Sequence, residues 1–181
     1  MSQQIQDAAF IACPKTAREC AGFWPLRSLS CSLLFVSLVT SQVIAADHNG
    51  RVVGIIDGDT IEVLQKQHPE RVRLNGIDCP EKRQAYGNKA KQAVSELVYG
   101  KEVTLQPHGF DKYGRTIADV FLPDGTNVNQ TLVKDGWCWW YRKYAPRDTV
   151  LEGLERDARE AKKGLWADPQ PVLPWGWRKR R

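Results

Sequence analysis

From Arg51 to Ile56 the residues are largely β-branched, and from Thr60 to Leu64 apolar and polar positions alternate, which predicts two strands joined by an Asp57-Gly58-Asp59 turn. His68-Pro69 interrupts the alternation and Arg71 to Asn75 resumes it, so a third strand completes a meander. Past a loop from Gly76 to Tyr86 the period lengthens. Ala90, Ala93, Val94, Leu97 and Val98 fall on one helical stripe, and Gly100 ends that helix. Glu102 to Gln106 and Thr116 to Leu122 predict a fourth and a fifth strand, with Lys112-Tyr113-Gly114 turning between them. Pro123-Asp124-Gly125 is a turn by composition. Asn127 or Asn129 can cap a short helix that carries Leu132 and Val133 inward and stops at Gly136. Trp137 to Tyr141 is expected to be briefly extended. A last helix starts at Asp148, with Thr149 and Glu152 at capping-box spacing. Leu151, Leu154, Ala158, Ala161 and Leu165 share its face, and Gly164 is its stop.

Strands with a helix inserted after the third, then two more helices, describe an α+β domain: a small five-stranded Greek-key barrel with three attached helices. Three regions are expected: an N-terminal extension with a signal segment over 1–46, the barrel domain over 47–168, and a Pro/Trp/Arg-rich tail over 169–181. Prolines keep that tail from being helix or sheet for long. It is expected either to lie across the surface, anchored by Trp175 and Trp177, or to be a disordered basic end.

Leu26 to Ala46 is mostly apolar, with arginine ahead of it and small residues at its exit near Ala45 or Ala46, the layout of a secretory signal. It is short and serine-rich for a membrane span. The alternative is an uncleaved anchor that tethers the protein. Asp7 and Glu19 do not suit a signal's basic start, which a translation start near Leu26 or Leu29 would explain. Secreted or periplasmic localisation is therefore expected, with a monomer free of the membrane after cleavage. Most of the formal net charge of +5 belongs to the part beyond Ala46, and a basic excess suits a polyanionic partner. Of the five cysteines, Cys13, Cys20 and Cys31 fall in the segment expected to be removed. Cys79 and Cys138 could close one disulfide in an oxidising compartment or stay free, and spacing leaves both open.

The candidate chemistry sits in three short stretches: Asp57-Gly-Asp-Thr60, Arg73-Leu-Asn-Gly-Ile-Asp-Cys-Pro-Glu81 and Asp111-Lys-Tyr-Gly-Arg115. They bring guanidinium groups and carboxylates to strand ends, as metal-assisted phosphodiester chemistry needs. In this order they resemble the thermonuclease, or staphylococcal-nuclease-like, family, over roughly Val52 to Trp166. The resemblance implies an OB-fold barrel and Ca²⁺-dependent hydrolysis of DNA and RNA at the 5′ P–O bond, leaving 3′-phosphate ends.

By the same resemblance, Asp59 and Asp78 supply hard oxygen ligands to calcium and Cys79 adds its backbone carbonyl, a position where the best-known members have threonine. Asp57 is assigned to the turn alone. Glu81 matches the general base that takes a proton from the attacking water, and Arg73 and Arg115 match the catalytic arginines. A guanidinium fork meets two phosphate oxygens at once. Lys112 and Tyr113 match substrate contacts. In the run Trp139 to Tyr144, aromatics interleave with cations that can stack bases and attract phosphates. Tyr144 is chosen over Tyr141 as the contact, with much of the run expected in the core. The substrate is expected to be single-stranded or flexible DNA and RNA. The alternative is a non-catalytic OB-fold module that binds nucleic acid. Retention of Asp59, Arg73, Asp78, Glu81 and Arg115 together argues against it, because binding alone needs no carboxylate trio facing a polyanion.

Overall fold

A computed structural model describes residues 48–180, so the expected signal segment, its cleavage site and its three cysteines lie outside the described residues. In chain order the elements are β1 (His48–Asp57), β2 (Thr60–Gln65), β3 (His68–Leu74), β4 (Ile77–Asp78), α1 (Gly87–Val98), β5 (Glu102–Phe110), β6 (Thr116–Phe121), α2 (Val128–Lys134), β7 (Trp139–Trp140), α3 (Thr149–Glu160), a 3-10 turn (Gly164–Ala167) and α4 (Pro174–Lys179). Five strands close a barrel in the order β1-β2-β3-β6-β5, sealed by antiparallel pairing of β5 with β1. β3 and β6 pair in parallel, which puts Arg73 opposite Thr60 on one side and Ile117 on the other.

Closure follows from the alternation. Val52, Ile61, Val63, Val72, Leu74, Ala118 and Val120 all point inward and are buried. Each of the valine, leucine and isoleucine side chains contributes about 1.5–3 kcal/mol when fully buried. Two register shifts in β1 bend it towards closure. The stripe read for α1 covers one opening with Ala90, Val94 and Val98, and α2 adds Leu132 and Val133.

Several boundaries differ from expectation. β3 starts at His68, because Lys66 and Gln67 both take positive φ and make a two-residue hairpin without the usual Asn-Gly signal. β5 runs on to Phe110 through a register shift between Pro107 and Gly109, where proline lacks a donor. Asn127 is the cap of α2, accepting from Gln130 N–H. Asn129 is buried instead. Its amide donates to Asn75 O at 3.0 Å and Ala118 O at 3.2 Å, and its Oδ1 accepts Val120 N–H at 3.2 Å. Asp148, not Thr149, caps α3 by accepting Leu151 N–H at 2.9 Å. That helix ends at Glu160, and Leu165 reaches the interior from the 3-10 turn instead.

Two features position the site. The aromatic run forms β7, which pairs with β4 so that Ile77 faces Trp140 and Asp78 faces Trp139. Cys79 and Cys138 are joined in a disulfide with their Cα atoms 4.2 Å apart, tying the strand after Asp78 to the start of β7. α3 holds β7 from behind, where Glu155 accepts Trp140 N–H at 3.1 Å. Burial raises the Glu155 carboxyl pKa against the opposing pull of Arg159. The tail takes the first of its two expected courses and adds a short fourth helix, α4, begun by a proline that needs no partner for a missing N–H. Among the described residues no helix is long and apolar enough to cross a membrane.

Candidate active site

The turn after β1, the end of β3, β4 with its following loop, and the turn between β5 and β6 meet at one cavity of about 780 Å³. Pairing in the barrel fixes the first two, since Leu74 N–H donates to Asp59 O at 2.9 Å. Arg73 therefore ends its strand beside Asp59. Its Nη1 pairs with Asp59 Oδ1, and its Nη2 donates to Asp78 Oδ1 at 2.9 Å. One guanidinium thus spans both predicted metal carboxylates. Asp59 Oδ2 accepts Cys79 N–H at 3.0 Å. The Asp78 side chain has no exposed surface. Burial lowers the pKa of Arg73 from its ordinary value, and the charge and hydrogen bond of Asp78 work against that shift.

Arg115 arrives from the opposite turn. Asp111 Oδ1 accepts the backbone N–H of Tyr113 and of Arg115, while its Oδ2 accepts Arg115 Nε at 2.7 Å and pairs with Nη2 at 2.6 Å. Gly114, at φ 76°, closes the turn in a conformation that suits glycine. The remaining Nη1 of Arg115 reaches Thr60 Oγ1 at 3.3 Å, next to Asp59. Arg73 and Arg115 face the same cavity.

Glu81 follows Pro80 and is partly exposed at the rim. Its loop is closed by Gln84, whose N–H donates to Glu81 O at 2.7 Å and whose Oε1 accepts Glu81 N–H at 3.2 Å. Lys112, Tyr113 and Tyr144 line the cavity, and both tyrosines are well exposed. Lys112 Nζ lies 4.9 Å from the Tyr113 ring centroid. Tyr141 also lines the cavity, but it is covered: Trp175 stacks on it at 5.0 Å, and Tyr144 meets it edge-on at 4.9 Å. Trp139 and Trp140 are buried.

Of the residues singled out in the sequence, Asp59, Arg73, Cys79, Glu81, Lys112, Tyr113, Arg115 and Tyr144 line this cleft, while Asp78 lies buried behind it and is linked to it through Arg73. Cys79 contributes main chain only, its sulfur being held in the disulfide. Two residues were missed. Asp111 was read as part of a turn, and its role as the holder of Arg115 shows only in the folded loop. Arg178, assigned to the tail, places Nη2 2.6 Å from Asp78 Oδ2 and Nη1 2.6 Å from Glu81 Oε1. Burial opposes the charge of Arg178, but hydrogen bonds to Asp78 and Glu81 outweigh it and raise its pKa. The faint signal for Arg178 was its place just after Trp175 and Trp177, two anchors in a segment too short for any periodicity.

Residues 71–168 match the family model described as staphylococcal nuclease homologue. The chain belongs to the staphylococcal nuclease family. It is 48% identical over 148 residues to an uncharacterized endonuclease of Escherichia coli O157:H7, covering 82% of this chain and 96% of that one. It is 40% identical over 153 residues to a micrococcal nuclease of Shigella flexneri, covering 80% of this chain and 88% of that one. A probable staphylococcal-like nuclease of rice is 38% identical over 138 residues, covering 76% of this chain but 40% of the rice protein. The protein is a nuclease, a hydrolase of phosphodiester bonds with nucleic acid as substrate, built on the barrel that the alternating segments implied.

Proposed function

We propose that this nuclease is an exported, calcium-dependent endonuclease that cuts single-stranded or flexible DNA and RNA at the 5′ P–O bond, leaving 3′-phosphate ends. The observation that carries the reading is the Arg73 guanidinium lying between Asp59 and Asp78 on the wall of a cavity that Arg115 also faces. Export is supported by the apolar Leu26 to Ala46 segment and by the Cys79–Cys138 disulfide, a bond that persists in oxidising compartments.

The donor set suits a hard cation. Asp59 and Asp78 come from separate turns, share one cationic group and offer hard oxygen donors, but among the described residues no group of three or more His, Cys, Asp or Glu could hold a metal ion, so most of the shell would fall to other ligands. Asp59, Asp78 and the Cys79 carbonyl would hold calcium, with water and phosphate filling the rest of a shell of about 6–8 oxygens. Bound there, calcium supplies charge that polarises the phosphate and acidifies water.

Glu81 orients the attacking water and accepts its proton as the water oxygen bonds to phosphorus. Arg73 and Arg115 meet the phosphate oxygens, which become more anionic in the pentacovalent state, so these contacts strengthen as the reaction proceeds. The P–O5′ bond breaks, Arg115 stabilises the departing oxygen, and solvent supplies its proton. Tyr113 and Tyr144 offer exposed faces for unstacked bases, worth about 1–3 kcal/mol per base, while Lys112 adds charge beside a neighbouring phosphate. Such stacking favours strands whose bases are free.

The test is digestion of single-stranded DNA and RNA with and without a calcium chelator, alongside Glu81→Gln. Chelation is expected to stop hydrolysis without unfolding the protein. Glu81→Gln should lose about a hundredfold or more in kcat while substrate affinity barely changes. Unimpaired cutting in chelator would remove calcium from the reading, and a fully active Glu81→Gln would remove the base.

A further inference from the structure

α4 enters the site from beyond the matched region, which ends at residue 168. Its anchorage is independent of the reaction chemistry. Trp175 stacks on Tyr141 and meets Trp139 edge-on at 6.0 Å, Pro174 is buried, and Gln84 Nε2 donates to Val172 O. From that platform Arg178 grips Asp78 with both terminal nitrogens, at 2.6 and 3.3 Å, and Glu81 with one, at 2.6 Å. Arg73 holds Asp78 from the other side. Both oxygens of a carboxylate with no exposed surface are therefore engaged by guanidinium groups.

Without Arg178, Glu81 would lose the cation it is paired with and the buried Asp78 would keep Arg73 alone, which already serves Asp59. With Arg178 in place, a divalent cation cannot take the same oxygens without lying against a like charge at close range. One of the two arginines has to yield. Arg73 is the harder to move, being rooted in a barrel strand with 16% of its side chain exposed. Arg178 is 42% exposed and rides on a six-residue helix near the chain end.

We propose that Arg178 is a positioning residue of the active site, an internal counter-ion that holds Asp78 and Glu81 in the metal-free protein and gives way to the metal, so that docking of the C-terminal helix and metal binding compete. This rests on the calcium reading of Asp59 and Asp78. Because the coupling is reciprocal, calcium loosens α4, and anything that loosens α4 tightens calcium.

Calorimetric titration of the full-length protein with calcium, without substrate, tests this in four forms: wild type, Arg178→Gln, Trp175→Ala and Arg180→Gln. Arg178→Gln is expected to bind calcium about tenfold more tightly, as removal of a competing charge at contact distance predicts. Trp175→Ala, which undocks the helix without touching a carboxylate, should shift affinity in the same direction. Arg180→Gln removes an equal charge away from the carboxylates and should leave affinity unchanged. Amide hydrogen exchange across 173–179 should quicken when calcium is added to wild type and stay the same in Arg178→Gln. If wild type binds calcium and Arg178→Gln binds it no better, or exchange in the tail ignores calcium, the competition is refuted while the calcium reading stands. If no form binds calcium, both fall together.

Discussion

Arg73 and Arg115 face one cavity but are held by opposite means. Arg73 is immobilised by burial between two carboxylates, and Arg115 is aimed by a single carboxylate, Asp111, within the turn between β5 and β6. Asp111 is thus the residue whose loss should uncouple position from chemistry. Asp111→Asn keeps acceptors for the Tyr113 and Arg115 amides but lacks the charge that fixes the guanidinium. It is expected to lower kcat/KM about tenfold, whereas Arg115→Ala should cost about a hundredfold or more. Equal losses in steady-state assays would contradict this division. The folded pKa of Asp111 is depressed, since backbone N–H and guanidinium donors from Arg115 outweigh desolvation. Its contribution to stability is therefore complete above the unfolded aspartate value of about 3.9 and lost as pH falls through the lower folded value. An NMR titration should show the Arg115 side-chain signals releasing only in that acid window.

Among the elements, the loop from Cys79 to Tyr86 matters most, because it carries Glu81 yet has no strand or helix of its own beyond β4. Two constraints fix it. Gly87 opens α1 directly beneath the Glu81 carbonyl, so that an added Cβ would collide with backbone. Gly87→Ala is expected to cost about 1–3 kcal/mol and to displace Glu81, seen as a fall in kcat larger than the change in melting temperature accounts for. The disulfide is the second constraint. It closes a sequence separation of 59 residues, for which chain-entropy arguments give about 4 kcal/mol. Replacing both Cys79 and Cys138 with serine should lower the denaturant midpoint accordingly and also reduce the rate, since β4 and β7 then meet through only two residue pairs. An unchanged midpoint would show the bond to be incidental to the fold.

For the whole molecule, the barrel is a frame that brings three loops and the chain's end to one cleft. Much of this was written locally. A β-branched run marked Arg51 to Ile56, alternation at period two marked Thr60 to Leu64 and Arg71 to Asn75, the stripe from Ala90 to Val98 marked α1, and three ordered acidic and arginine motifs marked the site, because pleat, helical repeat and turn chemistry act between near neighbours. Boundaries that depended on partners were not legible: the Lys66-Gln67 hairpin, the extension of β5 past Pro107, and the burial of Asn129 among three separate backbone segments. The sequence by itself determined which residues could do phosphodiester chemistry and on which kind of scaffold. Only the tertiary structure decided that Cys79 meets Cys138, that Asp111 aims Arg115, and that Arg178 closes on Asp78 and Glu81 from the far end of the chain. Such pairings turn on distances of a few ångströms between segments with no shared local pattern, and those distances exist only after the barrel has closed.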